Sequence, residues 1–71
     1  MALTEDIADE LAVKALAASK DDSDLSVINN IAEILGASSQ TLQEAFLTSI
    51  RVRKAEKRAR AVLATLAGPD A

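Results

Sequence analysis

The sequence predicts an all-α domain of three helices, two shorter ones followed by a single long C-terminal one. Apolar residues recur at spacings of three and four along most of the chain, and no stretch alternates apolar with polar residues as a half-buried strand would. Gly36, Gly68 and Pro69 are the only glycines and prolines, and one polar cluster, SKDDSD at residues 19–24, interrupts the pattern. With 71 residues the chain forms a single domain. A domain of this size buries only about 60% of the surface its unfolded form exposes, so it supports one core at most.

The first helix is expected over about residues 4–18. Thr4 is placed to cap it, acids fill its first turns where the helix dipole favours them, and Ile7, Leu11 and Ala15 recur at four-residue spacing. The second is expected over 24–35, with Asp24 as N-cap and Gly36 just past its C-terminus. Leu25, Ile28, Ile31, Ala32 and Leu35 form its apolar stripe, while Ser26, Asn29, Asn30 and Glu33 face water. The third is expected over 39–67, beginning after Ser38 or Ser39 and meeting no breaker before Gly68. The predicted core is Ile7, Leu11, Leu16, Leu25, Ile28, Ile31, Leu35, Leu42, Phe46 and Ile50.

A third helix of that length extends about 43 Å, against a radius of gyration near 11 Å for a compact chain of this size. One end must therefore overhang, bend back, or pack on another chain. The helical wheel adds a second clue. Leu42, Ala45, Phe46, Ser49 and Ile50 share one arc, whereas Val52, Ala55, Ala59, Val62, Leu63 and Leu66 share another roughly 130° away. The second set is the candidate protein interface, and a homo-oligomer or an obligate protein partner is expected from it, because so small a core needs added burial. The bases Arg51, Arg53, Lys54, Lys57, Arg58 and Arg60 fall on the opposite arc, which is expected to be solvated.

Charge is unevenly divided. Residues 1–50 carry nine acids against Lys14 and Lys20, a net of −7, whereas residues 51–71 carry six bases against Glu56 and Asp70, a net of +4. Such a dipolar chain either steers a charged partner or pairs its own halves. The acidic N-terminus, with Glu5, Asp6, Asp9 and Glu10, has neither the basic residues nor the long apolar run of a targeting peptide, so a cytoplasmic location is expected. No apolar run approaches the roughly 20 residues of a membrane span.

Composition also excludes chemistry. The absence of Cys and His rules out thiol nucleophiles, disulfides, the common zinc sites and imidazole acid–base catalysis. The hydroxyls of Ser38, Ser39, Thr41, Thr48 and Ser49 have no general base to activate them, and there is no glycine-rich phosphate loop. Phe46 as sole aromatic leaves no stacking platform for single-stranded nucleic acid. Carboxylate pairs such as Asp6 and Glu10 lie on a polar helix face, and Glu10–Lys14 and Glu56–Arg60 have the spacing of surface ion pairs. The acids of residues 21–24 with Glu33 only faintly match a calcium loop, since Val27 stands where glycine is needed, and a helix-capping turn is the better reading. No enzyme activity, cofactor, metal or small-molecule substrate is expected.

The segment IAEILGASSQTLQEAF, Ile31 to Phe46, resembles the helix-turn-helix unit of bacterial DNA-binding regulators. Ala32, Leu35, Gly36, Leu42, Ala45 and Phe46 match its small packing residue, its leucine, its turn glycine and its second-helix anchors. The resemblance implies that Ser38, Ser39, Gln40, Gln43 and Glu44 would face bases in the major groove, with Gln40 or Gln43 reading adenine and the basic run reaching phosphates. That segment has no Arg or Lys before Arg51, and the body is acidic, whereas phosphate neutralisation supplies most DNA affinity. The expected function is therefore a small non-catalytic regulatory or adaptor protein acting through helix-mediated protein contacts, with a helix-turn-helix transcriptional regulator as the alternative.

Overall fold

The computed structural model describes residues 3–21 and 23–67. They form α1 (Leu3–Ala18), α2 (Ser26–Ser38) and α3 (Gln40–Ala67), with no strand among the described residues. The predicted three-helix, all-α architecture is what the chain adopts. The stop signal at Gly68 and Pro69 lies outside the described residues.

The core is built on a row of small residues. Ala8, Ala12 and Ala15 of α1 are buried together with Ile28 and Ala32 of α2 and Phe46 and Ile50 of α3, and Phe46 is the largest side chain fully enclosed. Alanines four and three residues apart line one face of α1 and let it approach α3 closely. The phenyl ring fills the space this creates. Leu11, Leu16, Val27, Ile31, Leu35, Leu42, Ala45 and Leu47 pack around that centre, half-buried. Two predicted core residues are not in it: Ile7 is 37% exposed and Leu25 is 47% exposed. Ile7 lies about 110° around α1 from the centre of the alanine face, and that face is the one turned inward. Leu25 precedes the first turn of α2, at the outer end of the helix.

The α1–α2 connection is organised by side-chain oxygens. Ser19 Oγ donates to the carbonyl of Ala15 (2.9 Å), closing α1. Asp21 Oδ1 accepts from the backbone N–H (2.9 Å) and hydroxyl (2.7 Å) of Ser23. Asp24 Oδ1 accepts from the N–H (3.2 Å) and hydroxyl (2.7 Å) of Ser26, while its Oδ2 accepts from the N–H of Lys20 (3.1 Å). Asp24 therefore closes a turn just ahead of α2 and is not its N-cap as expected: the helix begins at Ser26, Leu25 takes the N-cap position, and no side chain caps it. The carboxylates of Asp21 and Asp24 are occupied by bonds within the turn, and no metal-binding cluster exists among the described residues.

At the other end, α2 runs through Gly36 to Ser38, and a single residue, Ser39, joins it to α3. Ser39 is extended (φ −155°, ψ 104°), donates its N–H to Leu35 (2.8 Å), and caps α3 by accepting from the N–H of Leu42 at Oγ (3.1 Å). Gly36 therefore lies inside α2 and not just past its C-terminus, and it does not open the turn as predicted. The hydroxyl of Ser39 and its extended backbone make the break, and the glycine serves a packing purpose described below.

Side by side, Glu5 and Asp9 of α1 border Ala45, Thr48 and Ser49 of α3, while Leu16 and Ser19 border Arg53, Lys54 and Lys57, so the two helices run in the same sense. α1 and α2 together cover only the first part of α3. The molecule measures 47 × 29 × 14 Å with a radius of gyration of 14.1 Å, well above a compact chain of its length, and α3, about 42 Å long, accounts for the long axis. Within the chain the third helix overhangs: it is one continuous helix that does not fold back on α1 or α2, and residues 55–66 are exposed throughout.

Because the alanine row fixes the α1–α3 spacing, Ala12→Leu should destabilise the fold by about 1–3 kcal/mol through overpacking. Ala17→Leu on the exposed face of α1 should change it by no more than about 0.5 kcal/mol. Urea unfolding followed by circular dichroism compares the two directly.

Candidate protein interface

The residues of the stripe lie on the half of α3 that no other described part of the chain covers. Val52, Val62, Leu63 and Leu66 are 60%, 58%, 63% and 77% exposed, and Ala55 and Ala59 between them are exposed as well. From Val52 to Leu66 the stripe is about 21 Å long. Isolated large apolar residues are ordinary on protein surfaces, whereas an uninterrupted row on one helix face makes a candidate interaction site. Among the described residues no helix is long and apolar enough to cross a membrane.

The basic residues are not the uniformly solvated face expected from the wheel. Phe46, Ile50 and Arg53 follow one another at helical spacing, so Arg53 continues the core-facing row of α3 just past its last buried residue. There its guanidinium meets Asp9 of α1 in a two-pronged pair, Nε donating to Oδ1 (2.8 Å) and Nη2 to Oδ2 (2.6 Å). The hydrogen bonds from Arg53 hold the Asp9 carboxyl below its ordinary range, and the same bonds raise the guanidinium. Lys54, half-buried, and Lys57 line a shallow cleft with Arg53, Leu16, Ser19, Lys20, Asp21 and Ile28. These cations stand near the C-terminal end of α1, which has no basic residue in its own last turn, and the helix dipole favours them there. Arg60 pairs with Glu56 (3.0 Å) along α3, and Lys14 with Glu10 (3.2 Å) along α1, as their spacing suggests. Arg51 and Arg58 are exposed.

Of the two glutamines that the helix-turn-helix resemblance assigns to base reading, Gln40 is exposed at the start of α3. Gln43 instead serves the fold. Its Nε2 donates to the carbonyl of Ala32 (2.9 Å), tying the first turns of α3 to the middle of α2. Gly36 makes room for it: a Cβ at that position would lie against Gln43 Nε2 and only 2.8 Å from its Cδ. The glycine and the glutamine are thus one packing device, and the amide is engaged with backbone.

Sequence reasoning identified the stripe from its periodicity but missed the role of Asp9, which it counted only among the acids of the N-terminus. Asp9 and Arg53 are 44 positions apart, and only the fold brings them together. The available signal was local: Asp9 directly follows the inward-facing Ala8, and Arg53 extends the Phe46–Ile50 row. No family model, curated protein or solved structure matches the chain.

Two outcomes follow. Gly36→Ala gains about 0.8–1.0 kcal/mol of helix propensity but displaces Gln43, whose hydrogen bond contributes about 0.5–1.5 kcal/mol. Its net effect should be near zero in the wild type, and a gain of about 1 kcal/mol should appear in a Gln43→Ala background, read by a urea double-mutant cycle. Asp9, Asp21 and Asp24 all titrate below their ordinary value of 3.8, so the stability they contribute is present above that pH and is lost as pH falls through their lowered values. Thermal melts of Asp9→Asn should therefore lie below wild type at neutral pH and converge with it in acid.

Proposed function

We propose that this chain is a small non-catalytic regulatory or adaptor protein that acts by offering the free half of α3 to another protein surface. The observation that carries this is the stripe Val52–Ala55–Ala59–Val62–Leu63–Leu66, exposed on a helix that projects beyond its own domain. A half-helix without tertiary cover is marginally stable in water, and docking its apolar face supplies the missing burial in the manner of a helix laid into a groove. The residue chemistry agrees: among the described residues no acid–base pair is set in a desolvated pocket, and the carboxylates of Asp21 and Asp24 are engaged in turn bonds.

Several observations bear against duplex DNA as the partner. Gln43 is engaged with α2, Arg53 with Asp9 and Arg60 with Glu56, and Glu44 stands exposed on the segment that would enter the groove. A cytoplasmic, protein-directed role accords with the acidic N-terminal half.

Sedimentation of the pure chain with random-sequence duplex DNA at low and moderate salt tests the reading. The expected result is no shift onto DNA at either salt, with any assembly the chain enters tolerating salt and lost in the double variant Val62→Asp, Leu66→Asp. A complex with DNA that forms at low salt, dissolves at moderate salt and survives in the double variant would overturn it.

A further inference from the structure

We propose that the occupant of the stripe is the same stripe of a second copy of this chain, lying parallel and in register as a short two-stranded coiled coil. The inference rests on reading the stripe as a protein interface and names the partner that its own residues fit. Val52, Ala55, Ala59, Val62 and Leu66 are separated by three, four, three and four residues. That is the alternation of a and d positions in a heptad seam: Val52, Ala59 and Leu66 fall at a, Ala55 and Val62 at d. All five are exposed, and the alanine layers let the two helices approach closely.

The charges flanking this seam choose the orientation. In the same register Arg51 and Arg58 take g positions, and Glu56 and Leu63 take e positions. In a parallel pair each g residue faces the e residue five positions further along the other strand. Arg51 then faces the partner's Glu56, and Arg58 lays its aliphatic stem along the partner's Leu63, which shields that 63%-exposed side chain. In an antiparallel pair g faces g, so Arg51 and Arg58 would confront like charges while Glu56 met leucine. Only the parallel arrangement matches opposite charge to opposite charge and apolar stem to apolar side chain.

The fold leaves room for this dimer. α1 and α2 pack on the Phe46–Ile50–Arg53 row, roughly 165° around α3 from the seam, so two bodies stand on the outer flanks of the pair. Above Val52 the heptad register falls on Thr48 and Ala45, where Glu5 and Asp9 of α1 border the groove, so the free seam begins at Val52. Below that point nothing in the described chain crosses it.

Cysteine cross-linking reads the arrangement directly, since the chain has no cysteine of its own. In the full-length chain, Val62→Cys should oxidise to a disulfide-linked homodimer, because parallel d positions bring the Cα atoms within about 7 Å. An equimolar mixture of Ala55→Cys and Val62→Cys chains should give the two homodimers and no mixed disulfide by non-reducing mass spectrometry. Light scattering should show a dimer. Arg51→Glu should weaken it about tenfold, and adding Glu56→Arg should restore it, with circular dichroism checking that every variant stays helical. A mixed Ala55–Val62 disulfide overturns the parallel register. A wild type that remains monomeric at about 100 μM overturns the second copy as partner but leaves the stripe open to a different protein. A dimer indifferent to Val62→Asp with Leu66→Asp overturns both this inference and the functional reading beneath it.

Discussion

The close approach of α1 to α3 is the constraint from which the remaining structure follows. Three alanines on one face of α1 admit the ring of Phe46, and a larger residue at any of them would hold the helices apart. With that spacing set, Ile28 and Ala32 of α2 complete the enclosure, and Ile50 sits one turn beyond the ring. A domain of this size has only a few kcal/mol of net stability, so an enclosed aromatic whose removal would cost about 3–5 kcal/mol is most of what separates folded from unfolded.

Polar contacts then fix what apolar packing leaves free. Ala8 turned inward puts Asp9 at the edge of the α1–α3 seam, and Ile50 turned inward puts Arg53 at the same edge, so the ion pair marks the place where the core ends. Its side chains remain 46% and 38% exposed, and pairs of this kind add little net stability. Its consequence is electrostatic. It neutralises one guanidinium of the basic segment against the acidic half of the chain, joining within one molecule the two charge blocks visible in the sequence. Gln43 acts similarly at the other end, where its bond to Ala32 sets how α3 leaves α2.

The sequence disclosed periodic features well and pairwise ones poorly. The extents of α1 and α3 and the change of apolar face near Arg51 were legible because each rests on many residues repeating one spacing. Ile7 was misplaced because alanine is weakly apolar, and a reading that weights bulk assigns the core to isoleucine when a neighbouring ring calls for the smaller side chain. Gly36 was misread because a glycine needed for clearance leaves the same trace in sequence as a glycine needed for a left-handed turn. Asp9 with Arg53, and Gln43 with Ala32, are single contacts between elements, and no local spacing announces them. The Ser39 cap lay within the range expected for the start of α3, since serine at a helix start has a local and recognisable reason.

α3 is one unbroken helix from the Phe46 pocket to Leu66, with no joint between the part that is held and the part that is free. The direction in which the free end faces is therefore set by residue count, like the index mark on a screw. One residue inserted between Ile50 and Val52 would rotate everything beyond it by about 100° and advance it by about 1.5 Å, turning the stripe away from its bearing. Seven residues would restore that bearing to within about 20° and merely lengthen the arm. In this region, changes of length are tolerated in steps of about seven, while substitutions on the solvent side are tolerated one at a time.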